Sequence, residues 1–127
     1  MKNRTHQFML INLTNHPSSQ WDEAQLVAAR EYGEVIDMPF PAVDEQGDEE
    51  YIAALSDEYM DKVMKYAAHH TITVHLMGEL TFCYALLDRL RQQGITVVAS
   101  TSKRIVTDEA EGKKIVTFCF ERFRRYR

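Results

Sequence analysis

Apolar residues along this chain switch repeatedly between two periods. Near-continuous apolar runs mark strands over residues 7–13, 34–38, 71–77 and 95–100. Between them, apolar positions recur at helical spacing over about 20–32, 49–68 and 81–93. Trp21, Leu26, Val27 and Ala29 form the first stripe; Ile52, Leu55, Tyr59, Val63 and Tyr66 the second; Phe82, Leu86, Leu87 and Leu90 the third. The punctuation fits. Ser19, with Asp22 three residues on, has the form of an N-cap, and Gly33 and Gly94 stand where helices stop. Pro39-Phe40-Pro41 ends the second strand, because proline cannot donate to a ladder. Residues 42–47 read as a loop.

Residues 103–107 and 114–121 alternate at period two around a turn-rich stretch over 108–113, the pattern of a hairpin. The order β-α-β-α-β-α-β plus hairpin predicts an α/β fold. With right-handed crossovers it becomes a Rossmann-like three-layer domain: a parallel sheet of order about 2-1-3-4, helices on both faces, and a C-terminal β-hairpin. At 127 residues with no linker or internal repeat, residues 1–127 form one domain.

Composition narrows the setting. A hydrophobic fraction of 45% and a charged fraction of 27% are ordinary for a globular protein. No apolar run nears the roughly 20 residues that span a bilayer, and Met1 to His6 lead into a strand rather than a signal peptide, so a cytoplasmic protein without membrane partners is expected. Cys83 and Cys119 read as buried small hydrophobes; no CxxC or HExxH predicts a metal site. The net charge of −4 is uneven: residues 103–127 carry eight Lys/Arg against four Asp/Glu. Much of the acid lies between Asp44 and Asp61, so binding of long nucleic acid is not expected.

The candidate chemistry sits where strands stop. The first ends in Asn12, Thr14, Asn15, His16, Ser18 and Ser19; the third ends in Met77-Gly78-Glu79, with Thr81 following. For order 2-1-3-4 these loops flank the topological switch point, where ligands of open α/β sheets bind. Neither GxGxxG nor GxxxxGK[ST] occurs, which removes the usual dinucleotide and NTP loops, and no cofactor is expected. His16 has the side chain suited to proton transfer near neutral pH, or it belongs to a turn. His75 lies inside a strand and reads as buried and neutral. His69 and His70 fit the end of the second helix. Glu79 is open between base, acceptor from a ribose hydroxyl and helix cap, Thr81 between N-cap and phosphate donor. Ser100, Thr101 and Arg104, after the fourth strand, form a third polar strip suited to phosphate. In the Arg-rich tail, alternation sends Arg122 and Arg124 to one face and Phe123 to the other.

Four short motifs carry a resemblance. Asn12-x-Thr14-Asn15-His16-Pro17, Met77-Gly78-Glu79-x-Thr81-Phe82, Ser100-Thr101-x-x-Arg104 and Phe120-Glu121-Arg122-Phe123-Arg124 resemble the small stand-alone CRISPR-associated Rossmann-fold (CARF-like) proteins of type III systems. The resemblance implies a homodimer that binds cyclic oligoadenylate across its two-fold axis. It implies, in ring-nuclease members, metal-independent cleavage by attack of the ribose 2′-OH. His16, Ser18 and Glu79 are the catalytic candidates. Asn12, Thr14, Asn15, Ser19, Gly78, Thr81, Ser100, Thr101 and Arg104 are the ligand-binding ones. Two alternatives stay open: a non-catalytic module that senses or sequesters a nucleotide, and a nucleoside-processing enzyme using Glu79.

Overall fold

A computed structural model describes residues 7–127; the segment 1–6, read above as leading straight into a strand, lies outside the described residues. The elements are β1 (Gln7–Leu13), α1 (Glu23–Arg30), β2 (Glu34–Asp37), α2 (Glu49–Ala67), β3 (His70–Leu76), α3 (Leu80–Gln92), β4 (Thr96–Asp108) and β5 (Lys114–Arg125). Short 3-10 turns at Ser18–Gln20 and Ala110–Gly112 complete the order. The strands form one sheet of order β2-β1-β3-β4-β5. The first three pairings are parallel and β4–β5 is antiparallel. The expected order 2-1-3-4 and the C-terminal hairpin are therefore both present.

Alternation along the strands sorts side chains to two faces. One receives Met9, Ile11 and Leu13 of β1, Ile72, Val74 and Leu76 of β3, and Val97 of β4, packed with Tyr59 and Val63 of α2 and Phe82, Leu86 and Leu90 of α3. Phe82 is fully buried and meets Phe40 and Tyr59 edge-on, with ring centroids 5.3 and 5.5 Å apart. The opposite face has a smaller core of Leu10, Ala29, Val98 and Phe123, with Trp21 and Tyr32 against it. So α2 and α3 cover one side and α1 part of the other. The sheet curls rather than lying as a flat central layer, and the expected three-layer sandwich is met only as a mostly parallel α/β sheet with three helices.

Several boundaries differ from the sequence reading. Ser19 lies within the 3-10 turn and does not cap α1; Asp22 does, accepting the Gln25 N–H at 2.9 Å. Both residue types cap well, but the turn after Pro17 uses up the first of them. His70 opens β3 instead of closing α2. The fourth strand does not stop at Ser100. It runs on to Asp108 as the first arm of the hairpin, with a register shift between Thr101 and Ser102. The Arg-rich tail continues β5, with Phe123 turned inward and buried and its arginine neighbours exposed. At Gly33, φ is +130° and an added Cβ would fall 2.2 Å from the Phe8 backbone, so the entry to β2 admits no side chain.

Deleting the aromatic keystone of the α2/α3 side should be costly. Phe82→Ala is expected to lower unfolding free energy by about 3–5 kcal/mol in urea titration. Val27→Ala, at a half-exposed position of α1, should stay within roughly 0.5 kcal/mol.

Candidate functional site

Strand register builds the centre of the site. At the C-terminal end of the sheet, Asn12 of β1 lies level with Asp37 of β2 on one side and His75 of β3 on the other. Asn12 and Asp37 follow, by two residues, Leu10 and Val35 of the α1-side core, and Ser100 follows Val98 of β4 in the same way; His75 follows Thr73, which is level with Leu10. A row of polar side chains thus crosses four strands where the α1-side core gives out.

The row is hydrogen-bonded end to end. Asn12 Nδ2 donates to Asp37 Oδ1 and to the His16 carbonyl, both at 2.9 Å. Asn12 Oδ1 accepts the Thr14 hydroxyl at 3.0 Å and faces His75 Nδ1 at 3.1 Å. His75 Nε2 meets Ser100 Oγ at 3.2 Å. The His16 carbonyl also accepts from Trp21 Nε1, and the His16 N–H donates to Thr14 Oγ1, each at 3.2 Å, so the turn after β1 is pinned from three sides. Asp37 holds Ser18 as well, accepting its N–H at 3.0 Å and its hydroxyl at 2.8 Å. Burial raises the Asp37 carboxyl, but the bonds from Asn12 and Ser18 outweigh it and leave the group below the usual carboxylate range.

His75 is 2% exposed, and the edges and faces of Trp21 and Phe123 enclose its ring at centroid distances of 5.6 and 5.1 Å. Burial pushes the imidazole down to about 4, so it is neutral at pH 7. The expectation of a buried, neutral, hydrogen-bonded histidine is met.

Above this row opens a cleft of about 590 Å³. Its lining comes from the turn after β1 (Thr14, Asn15, His16), the approach to α1 (Gln20, Trp21, Asp22, Gln25), the end of β3 (His75, Met77, Gly78) and the hairpin (Ser100, Ser102, Phe118, Phe120). Hydroxyls, amides and imidazoles share it with three aromatic rings; Asp22 is its one formally charged side chain. At Gly78, φ is +158° and an added Cβ would fall 2.3 Å from the Phe40 ring, so glycine is required where β3 enters the cleft.

The structure brings Thr14, Asn15, His16, Gly78 and Ser100 together, as anticipated, and sets Asn12 beneath them. Other candidates lie elsewhere. Ser18 is engaged with Asp37, and Ser19 is exposed on the 3-10 turn. Glu79 caps α3, taking the Phe82 N–H at 2.7 Å and the Thr81 hydroxyl at 2.8 Å; these bonds, the Phe82 amide first, hold its carboxyl below the usual range. Of the roles open for Glu79, the structure shows the cap, and Thr81 is a member of the helix rather than its cap. Thr101 donates to the Arg122 carbonyl at 3.1 Å, away from the cleft. Arg104 sits beyond the lining, opposite Phe118 in the β4–β5 ladder. Sequence reading missed Trp21, Asp37, Ser102, Phe118 and Phe120. Period-two alternation in the hairpin marks Ser102 and Phe120 as one face; nothing local marks Asp37, whose role depends on register.

Burial, with the charge of Glu79 adding to it, pushes the Cys83 thiol up to about 12, which suits packing and not nucleophilic attack. Among the described residues no group of three or more His, Cys, Asp or Glu is placed to hold a metal ion, and no helix is long and apolar enough to cross a membrane.

A family model matches residues 9–124, spanning nearly all of this architecture. The chain belongs to the uncharacterized protein MJ1673 family. The matched stretch takes in every strand end that lines the cleft, so the family is defined over the site as well as the fold. No curated protein matches the sequence.

The low imidazole value fixes a pH dependence. The unfolded chain takes up a proton at His75 near pH 6.5, whereas the folded protein resists down to about 4. The associated stability is full above pH 6.5 and is lost as pH falls through that window. Between pH 7.5 and 5 this amounts to roughly 2 kcal/mol at 1.36 kcal/mol per unit. Urea titrations should show that loss in the wild type and not in His75→Gln. Asp37 acts below this window, because its carboxyl stays ionised in both states above pH 5.

Proposed function

We propose that this protein binds cyclic oligoadenylate at the C-terminal edge of its sheet, across a homodimer, and cleaves it as a ring nuclease that switches off antiviral CRISPR signalling. This reading treats the domain as a Rossmann-like three-layer unit of the CARF-like kind and as a cytoplasmic protein without a cofactor. The observation that carries it is the cleft itself. Hydrogen-bonding groups from two strand ends meet three aromatic rings at the switch point, the combination that a phosphodiester and a stacked base require. Arg104, opposite Phe118, supplies a cation at the rim.

In the reaction the ribose 2′-oxygen attacks the adjacent phosphorus in line. The 2′-O–P bond forms, the P–O5′ bond breaks, and a 2′,3′-cyclic phosphate remains. His16 takes the 2′-OH proton and returns it to the departing 5′-oxygen. Asn15 and Arg104 hold phosphoryl oxygens, so positioning and charge stabilisation carry most of the rate. The homodimer draws support from the hairpin, where Ile105, Val106, Ile115, Val116 and Phe118 are large apolar residues left exposed. An isologous pair would offer each cleft twice to a symmetric ring.

The scarcity of cations in the cleft favours a second reading, a module of the same fold that senses or sequesters the messenger without cutting it. Incubation with cyclic tri-, tetra- and hexa-adenylate, with and without EDTA, separates the two. Cleavage that survives EDTA and falls about 10²–10⁴-fold in His16→Ala is the expected result. Tight binding without turnover selects the sensor. Absence of both binding and cleavage rejects the two readings together.

A further inference from the structure

We infer that Ser100 is a hydrogen-bond donor to His75 and therefore presents only acceptor lone pairs to the cleft, making it a specificity residue that selects a ligand N–H or O–H. The direction of each bond in the row follows from its far end. A carboxylate such as Asp37, and a carbonyl such as that of His16, can only accept. Both lie 2.9 Å from the same Asn12 atom, which must be the NH₂ group, and both of its protons are used. Asn12 Oδ1 therefore faces His75, and an oxygen there requires the neutral ring to carry its proton on Nδ1. That leaves Nε2 bare, so the Ser100 hydroxyl at 3.2 Å must donate to it. The Met77 sulfur, 3.3 Å from the same oxygen, is the weaker acceptor and does not compete for the proton.

Ser100, His75 and Asn12 also have the order of a nucleophile, a base and an orienting group. Burial argues against that use. An imidazole enclosed by Trp21 and Phe123, with a neutral amide rather than a carboxylate beside it, resists the proton it would have to accept. A fixed ring that sets the polarity of one hydroxyl fits the same geometry without that cost.

The ligand half of the inference rests on the nucleotide reading above; the bond direction does not. The complementary donor is either the exocyclic amine of adenine or a ribose hydroxyl. Two measurements on the full chain test it. A long-range ¹H–¹⁵N correlation at pH 7.5 should show the His75 ring protonated at Nδ1 and bare at Nε2. A proton on Nε2 overturns the inference. Separately, AMP, purine riboside 5′-monophosphate, 2′-deoxy-AMP and 3′-deoxy-AMP are titrated into the wild type and Ser100→Ala. One analogue, the one lacking the contacting donor, should bind the wild type roughly fivefold to twentyfold more weakly than AMP, and the difference should vanish in Ser100→Ala. All three analogues binding like AMP, or a difference that persists in Ser100→Ala, overturns the selection. Failure of all four nucleotides to bind saturably rejects the nucleotide reading and the ligand half with it, while the nitrogen spectrum still decides the direction of the bond.

Discussion

The carboxamide of Asn12 is the point on which the rest of the site depends. It stands in the middle strand, between Asp37 and His75, and each of its donors and its acceptor oxygen is engaged. A buried amide left short of partners costs about 1–3 kcal/mol per missing bond. The neighbouring strands must therefore hold the register that supplies them. In this way one side chain ties β2, β1 and β3 together at their C-terminal ends and, through His75, reaches β4.

This constraint explains why the two faces of the sheet differ. The α2/α3 side is apolar along the full length of the strands and closes around Phe82. On the α1 side apolar packing covers only the lower part, around Leu10, Val98 and Phe123. Beyond it the polar row begins, and the cleft opens over that row. Trp21 and Phe123 belong to both regions: they pack in the small core and enclose the His75 ring. The hairpin adds an outer wall through Phe118 and Phe120, so a strand pair that contributes little to the main core completes the cleft.

Much of the fold was legible because its signals are local. Strand β1 begins and ends as read, the helices shift by a few residues, and the sheet order follows from alternating strand and helix. The polar turn at Thr14–His16, Gly78 and Ser100 could be placed at the cleft from strand ends alone. What sequence could not supply depends on pairing between distant segments. Asp37 looks like an ordinary strand-terminal acid until register sets it beside Asn12. Thr101 pairs with Arg122 while Ser102 pairs with Phe120, so β5 carries an extra residue beside the cleft that no local pattern marks. Ser19 and Asp22 are both good caps, and the intervening 3-10 turn chooses the second. Glu79 and Ser18, read as catalytic candidates, spend their oxygens on a helix end and on a neighbouring carboxylate.

Asn12 and His75 form one bonded unit across two strands. The measurement that decides this is a double-mutant cycle with Asn12→Ala, His75→Ala and the double variant, followed by urea titration at pH 7.5. A coupling of about 1–3 kcal/mol is expected, because the second substitution costs less once the first has broken the row. Losses that add within about 0.5 kcal/mol would contradict it.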